Sequence, residues 1–240
     1  LLAADGDAKA LAGGQTLIPT LKQRLAQPSA LVDVARLPEL SGVRLEGERL
    51  VVGAATRHAE AAANATVRAA LPGLANLAAG IGDRQVRNMG TLGGSVANAD
   101  PAADYPAALV ALNAEIITDR RRLAAEEFFT GMFETALAPG ELVVSVDFPL
   151  ARRAAYAKFP NPASRYAVAG VFVAQSPDGA VRVAVTGAGP RVFRLPEFEA
   201  ALTADFTMAA LDGLMVDADG LNDDLHADAA YRAVAACGGQ

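Results

Sequence analysis

The sequence predicts an α+β fold on three observations. Short strand and helix patterns alternate over the first quarter, Ala-rich helical patterns fill the stretch that follows, and three strands followed by amphipathic helices close the chain. At 240 residues, 52% of them hydrophobic, with a mean hydropathy of +0.24, the chain is long and apolar enough to bury a sizeable core.

Residues 9–12 read as a short strand running into Gly13-Gly14, after which Leu17, Ile18, Leu21 and Leu25 recur at helical spacing. Residues 31–34 form a second short strand. Val43-Arg44-Leu45 and Leu50-Val51-Val52 flank the turn Glu46-Gly47-Glu48 as the arms of a hairpin do. From Thr56 to about Ala79 the pattern is helical and broken at Pro72-Gly73. Residues 82–95 are too glycine-rich for a regular element and too apolar for a linker, so they are expected to form an ordered functional loop. Residues 106–112 read as a helix, 115–118 as a strand, 124–129 as a short helix and 141–148 as a strand, with Pro149 closing the domain. Three strands follow at 156–159, 166–175 and 181–187, the last two joined by Ser176-Pro177-Asp178-Gly179. Helices are expected at 196–202, 208–214 and 226–236. The expected domains are 1–150, with α+β subdomains 1–55 and 56–150, and a C-terminal domain 151–240.

Composition excludes several functions. Lys and Arg number 21 against 27 Asp and Glu, a net charge of −6 with a pI near 5.0, the wrong sign for binding a phosphate backbone. The longest apolar run, about residues 167–174, falls far short of the ~20 residues that span a bilayer. A single cysteine, Cys237, excludes an intrachain disulfide and any iron–sulfur centre or zinc site built on several thiolates, and fits a reducing cytoplasm. With no catalytic base in view, Cys237 reads as a helix residue and not a nucleophile. His58 and His226 lie far apart without ligand-spaced companions, so surface or capping roles are expected and no metal. Arg120-Arg121-Arg122 reads as a solvated turn between a strand and a helix in preference to a dock for an acidic partner. Phe128, Phe129, Met132 and Phe133 read as core or as part of a subunit interface. The chain begins at Leu1 and its last helix stops at Gly238-Gly239-Gln240, so missing termini are expected at both ends.

Two glycine segments carry the chemistry. Ala12-Gly13-Gly14-Gln15-Thr16-Leu17 places two glycines where a strand feeds a helix, which lets backbone N–H groups approach an anion such as a diphosphate; a plain structural turn has the same pattern. Thr91-Leu92-Gly93-Gly94-Ser95 offers a hydroxyl and further glycine N–H groups. Asp104 lies shortly downstream. An aspartate repels phosphate and accepts hydrogen bonds from sugar hydroxyls, so the set points to a nucleotide. Neither Gly-x-Gly-x-x-Gly nor Gly-x-x-x-x-Gly-Lys-Ser/Thr occurs, which argues against a Rossmann unit and a P-loop.

These segments, Ala12 through Pro19 and Gly82 through Asn98 with Pro101-Ala102-Ala103-Asp104, closely resemble the flavoprotein subunit of the xanthine oxidase and carbon monoxide dehydrogenase family of molybdenum hydroxylases. Phe128-Phe129-Thr130-Gly131, Thr135-Ala136-Leu137, Gly140-Glu141-Leu142, Lys158-Phe159, Thr186-Gly187-Ala188-Gly189, Asp224-Leu225-His226-Ala227 and Tyr231-Arg232 extend the resemblance over nearly the whole chain. It implies an FAD-binding domain of the vanillyl-alcohol oxidase (PCMH) type, made of two α+β subdomains, and a C-terminal domain of three antiparallel strands flanked by helices. It also implies that residues 12–18 and 91–95 contact the diphosphate and that Asp104 holds the FAD sugar hydroxyls. Ile81 and Val143 would give apolar contacts to the cofactor, and Lys158 and Tyr166 would lie near the flavin edge, where a lysine cation would stabilise the reduced flavin. Ser95 departs from the pattern, standing where the family more often has Asn.

With no molybdenum or iron–sulfur ligands of its own and no catalytic residue assigned, the chain is expected to be an electron-transfer subunit. Its partners would be a molybdopterin-binding large subunit and a [2Fe–2S] small subunit, in a heterotrimer that dimerises. Electrons would leave for an external acceptor such as oxygen, NAD or a quinone-linked carrier. The substrate, carbon monoxide, an aldehyde or an N-heterocycle, belongs to the large subunit. Two rivals are a stand-alone FAD-dependent reductase of the same fold, against which no proton donor paired with a carboxylate is found, and a non-catalytic scaffold, against which the intact glycine segments and Asp104 argue.

Overall fold

The computed structural model describes Leu2 and residues 5–237, so the expectations attached to Leu1 and to Gly238-Gly239-Gln240 lie outside it. Strand β1 (Lys9–Leu11) pairs in parallel with β2 (Leu31–Asp33), and α1 (Leu17–Lys22) lies between them in sequence. The chain leaves β1 through Gly14, whose φ of +69° only glycine adopts readily. Helix α1 stops before Leu25, because Arg24 takes a left-handed conformation and leaves Leu25 exposed.

The hairpin β3 (Val43–Glu46) and β4 (Arg49–Gly53) turns at Gly47 and Glu48. It does not stay with the first strands. Strand β4 pairs with a later strand, β9 (Val143–Pro149), so the hairpin forms one side of a five-stranded antiparallel sheet that a cut near residue 55 would split. Helices α2 (His58–Ala63), α3 (Ala65–Ala70) and α4 (Pro72–Ala79) follow. Asn64 caps α3 by accepting from the Thr66 and Val67 amides, and Pro72 opens α4 at the position where a missing N–H costs nothing.

The stretch 82–95 is not a loop. It holds α5 (Arg84–Met89) and the start of α6 (Leu92–Asn98), capped by Asp83, which accepts from the Val86 amide, and by Thr91, which accepts from that of Gly94. Two good caps and the buried pair Leu92 and Val96 outweigh the poor helix propensity of Gly93-Gly94.

Helix α7 (Tyr105–Ala111) is buried along its whole length. Strands β5 (Glu115–Thr118) and β6 (Arg122–Ala124) complete the large sheet in the order β3-β4-β9-β5-β6, and α8 (Ala125–Phe128) leads to the small pair β7 (Phe129–Gly131) and β8 (Glu134–Thr135). The three arginines at 120–122 are therefore more than a solvated turn. Arg122 lies in β6, and Arg121 makes a two-pronged ion pair with buried Glu141. Phe128 and Phe129 are core, whereas Met132 and Phe133 are exposed on the β7–β8 connection.

The C-terminal sheet has four antiparallel strands where three were expected: β10 (Arg153–Pro160), β11 (Ala167–Gln175), β12 (Val181–Thr186) and the two-residue β13 (Phe193–Arg194), too short to show a period. Alternation along the strands splits it between two cores. Tyr156, Phe172, Ala174 and Ala184 join the main core beneath α4 and α7, while Val181, Val183 and Val185 pack under α9 (Pro196–Ala204) and α10 (Ala229–Ala236). The helix expected at 208–214 is only a 3₁₀ turn at Ala209–Leu211; Gly213 is left-handed, and Met208 and Met215 are exposed. Helix α10 starts at Ala229, where Asp228 caps it. Among the described residues no helix is long and apolar enough to cross a membrane.

Candidate functional site

One cavity of about 580 Å³ runs between the β1–α1 turn, the start of α6, strand β9 and the turn after β10, within the size range of small-molecule and cofactor sites. Ala12, Gly13, Gly14, Gln15, Thr16, Leu17, Ile81, Thr91, Gly93, Gly94, Ser95, Asp104, Val143 and Tyr166 all stand in its wall. Of the residues singled out from sequence for cofactor contact, Lys158 does not, nor do Ile18 and Leu92 within the two glycine segments.

The two glycine segments differ in what they offer. Among the described residues, the backbone N–H groups of Gly13, Gly14, Gln15, Thr16 and Leu17 have no hydrogen-bond acceptor. Five consecutive unpaired amides on a cavity wall are a cradle for an anion. The second segment has no such row. The Gly93 amide donates to Ala54 O at 2.8 Å, that of Gly94 to the Thr91 hydroxyl at 3.1 Å and that of Ser95 to Thr91 O at 3.0 Å. Its glycines serve close approach instead: a β-carbon on Gly93 would stand 2.4 Å from that of Ala54. The Ser95 hydroxyl is left without a partner among the described residues.

Asp104 lies at the head of α7 and is 4% exposed. Its Oδ1 accepts from the Tyr156 hydroxyl at 2.6 Å and from Lys158 Nζ at 2.9 Å. Burial pushes its carboxyl above the usual range, and the Lys158 charge, the hydrogen bonds from Tyr156 and Lys158 and one from its own backbone amide pull it part of the way back. Lys158 also donates to Gly80 O at 2.8 Å and Arg165 O at 3.1 Å, so its three protons all have acceptors within the protein. It sits behind the wall and ties together the segments that carry Ile81, Asp104 and Tyr166. Tyr156 and Asp104 form the pairing of proton donor and carboxylate that sequence reading did not find, and the hydroxyl is turned to Asp104, not into the cavity. A period of two back from Lys158 was the signal for it.

The loop 100–104 is braced by the C-terminal sheet. Thr186 donates its hydroxyl to Ala103 O at 2.6 Å, and the Gly187 amide donates to Pro101 O at 2.8 Å. Asp100 shares the cavity wall with Asp104, and both acids, after burial, push the half-exposed Tyr166 phenol up. His58 overturns its expected surface role. It is 4% exposed and lines the cavity, and burial, helped by the Arg87 charge, lowers its imidazole to about 4, so it is neutral at pH 7. No local pattern marked it.

These features fit a dinucleotide with a diphosphate and a sugar alcohol. The amide row suits the anion, and Asp104 opposes it with Oδ2 unpaired among the described residues.

Comparison with known proteins adds to this. Residues 1–151 match the family model described as the FAD binding domain in molybdopterin dehydrogenase. The chain is 36% identical to the carbon monoxide dehydrogenase medium chain of Hydrogenophaga pseudoflava, over 94% of this chain and 84% of that one. It is 37% identical to the 6-hydroxypseudooxynicotine dehydrogenase complex subunit alpha of Paenarthrobacter nicotinovorans, over 88% and 76%. Among solved structures, a chain of the carbon monoxide dehydrogenase from H. pseudoflava that lacks the Mo-pyranopterin moiety superposes with a TM-score of 0.87 at 37% identity, covering 97% of this chain and 86% of that one.

Proposed function

The chain belongs to the FAD-binding family of molybdopterin dehydrogenases, as an FAD-binding subunit of an oxidoreductase, and from that premise we propose that it carries electrons from the [2Fe–2S] clusters of a small partner subunit to an external acceptor. The oxidation itself falls to a molybdopterin-binding large subunit, which sets the substrate, be it carbon monoxide, an aldehyde or an N-heterocycle. The three subunits form a heterotrimer that dimerises, in the cytoplasm, as the single cysteine favours. Residues 1–150 form the cofactor domain, with its first subdomain before the β3–β4 hairpin, and residues 151–240 the C-terminal domain.

Bound FAD supplies the capacity to take up electrons singly and release them in pairs. The protein's own residues bind and orient it. The amides of Gly13 through Leu17 donate to the diphosphate, and the Ser95 hydroxyl adds a donor from the second segment. Asp104 Oδ2 accepts from the sugar hydroxyls. Ile81 and Val143 give an apolar wall that excludes water, and Tyr166, 51% exposed, stands at the rim.

The observation that carries this reading is the row of unpaired amides in the same cavity as Asp104. A visible absorption spectrum of the purified chain tests it, with heat release and chromatography of the chromophore. A flavin spectrum and released FAD are expected. A colourless chain that takes up no added FAD overturns the reading.

A further inference from the structure

The two oxygens of Asp104 have different surroundings. Oδ1 receives both side-chain donors, Tyr156 at 2.6 Å and Lys158 at 2.9 Å, while Oδ2 has no donor from another residue among the described residues. Tyr156 reaches Asp104 because of a glycine on the next strand. Lys158 pairs with Gly170 in the β10–β11 register, and a β-carbon on Gly170 would stand 2.3 Å from the Tyr156 hydroxyl. The tyrosine ring thus leans over a position that carries no side chain, stacked on Phe172 at 6.2 Å between centroids, with its hydroxyl directed at Asp104. Burial, with Asp104 beside it, keeps the phenol protonated and therefore a donor.

We propose that Tyr156 is a positioning residue of the cofactor site: seated over Gly170, its hydroxyl holds Asp104 by Oδ1 and so presents Oδ2 to the sugar hydroxyls of the bound cofactor. The C-terminal sheet then completes a site built mainly from the first 151 residues, with Ser164, Arg165 and Tyr166 added from the turn after β10. The inference rests on the reading of Asp104 as the sugar-binding group.

The test is a cycle of FAD dissociation constants on the deflavinated full chain, for the unmodified protein, Tyr156→Phe, Asp104→Asn and the double variant. Tyr156→Phe is expected to weaken FAD about tenfold, the loss of one hydrogen bond to a charged group, and to weaken it little further once Asp104 is Asn. A purely structural role would give the same loss in both backgrounds, and that result, or no loss from Tyr156→Phe alone, overturns the proposal. If Asp104→Asn itself leaves the affinity unchanged, the reading of Asp104 falls first. The pH profile gives a second readout. Lys158 also acts on Asp104, Tyr105 and Tyr166 feel its charge, and Asp100 shares its cavity wall; all remain in Tyr156→Phe, so the acid loss of FAD affinity is expected to move to higher pH in that variant. Should Tyr156→Phe fail to fold, Gly170→Ala displaces the ring while keeping every polar group, and a similar loss of affinity is expected from it; unchanged affinity in Gly170→Ala overturns the proposal.

Discussion

Gly13 lies so close to Met89 that a β-carbon built on it would stand 2.1 Å from the Met89 carbonyl oxygen and 2.7 Å from the Cα of Gly90. Two cavity-lining segments, far apart in sequence, are in backbone contact there, and the row of free amides begins at that contact. Gly13→Ala forces them apart. The expected result is loss of at least 100-fold in FAD affinity with a cooperative melt retained. Gly6→Ala, at a position with nothing within 4 Å, serves as the control and should bind FAD normally. Titration of both deflavinated variants decides it, and equal affinities would show the contact to be unimportant.

Lys158→Met removes the counter-charge of a buried carboxylate, the side chains being 10% and 5% exposed. Breaking a buried pair from one side costs about 3 kcal/mol or more, because the remaining charge has lost its partner. Urea unfolding of the cofactor-free chain should show a loss of that order, and Asp104→Asn in the same background should recover part of it. Were Lys158 instead a flavin-edge cation, the variant would keep its stability and shift the flavin midpoint potential.

His58 predicts a pH dependence of stability. Its imidazole is held near 4 in the folded chain against 6.5 when free. Between those values the unfolded chain binds a proton that the folded chain does not, so the stabilisation is complete above pH 6.5 and is lost as pH falls toward 4. The difference amounts to an order of 3 kcal/mol at its lower end. Unfolding measured from pH 7 to 4 should show this slope, and His58→Gln should flatten it. An unchanged slope in the variant would assign it to the carboxylates.

The strands and helices that were legible in the sequence are those with a period and a boundary residue: β11 and β12, the β3–β4 hairpin, and α4 with its proline. The helices α5 and α6 were hidden because Gly82, Gly90, Gly93 and Gly94 imitate a loop, and their caps act over only three residues. Pairing was not legible at all. That β4 lies against β9 is set by a contact between positions almost a hundred residues apart, and the interlock of Arg49 with Asp147 and Glu115 shows only in three dimensions. The same holds at the cavity. Glycines and Asp104 were visible as motifs, whereas His58 lies in ordinary surroundings in sequence, and Tyr156, marked only by its strand period with Lys158, reaches Asp104 by how the elements fold onto one another.

Arg232 shows how far the support of the site extends. Its guanidinium, 4% exposed, donates to Val168 O at 2.8 Å and Gly187 O at 2.9 Å and makes a two-pronged pair with Asp224 at 2.7 Å. Gly187 in turn donates its amide to Pro101 O, in the loop that leads to Asp104. Arg232→Met removes the donor to two buried carbonyls and should destabilise the chain by about 3 kcal/mol. Asp224→Asn, whose side chain is 46% exposed, leaves those carbonyls satisfied and should cost less than half as much. Because the strand end at Gly187 braces the 100–104 loop, Arg232→Met should also release FAD more readily at temperatures where the chain is still folded. Flavin release and unfolding, followed together during heating, should separate in the variant and coincide in the unmodified protein; if they coincide in both, the brace does not reach the cavity.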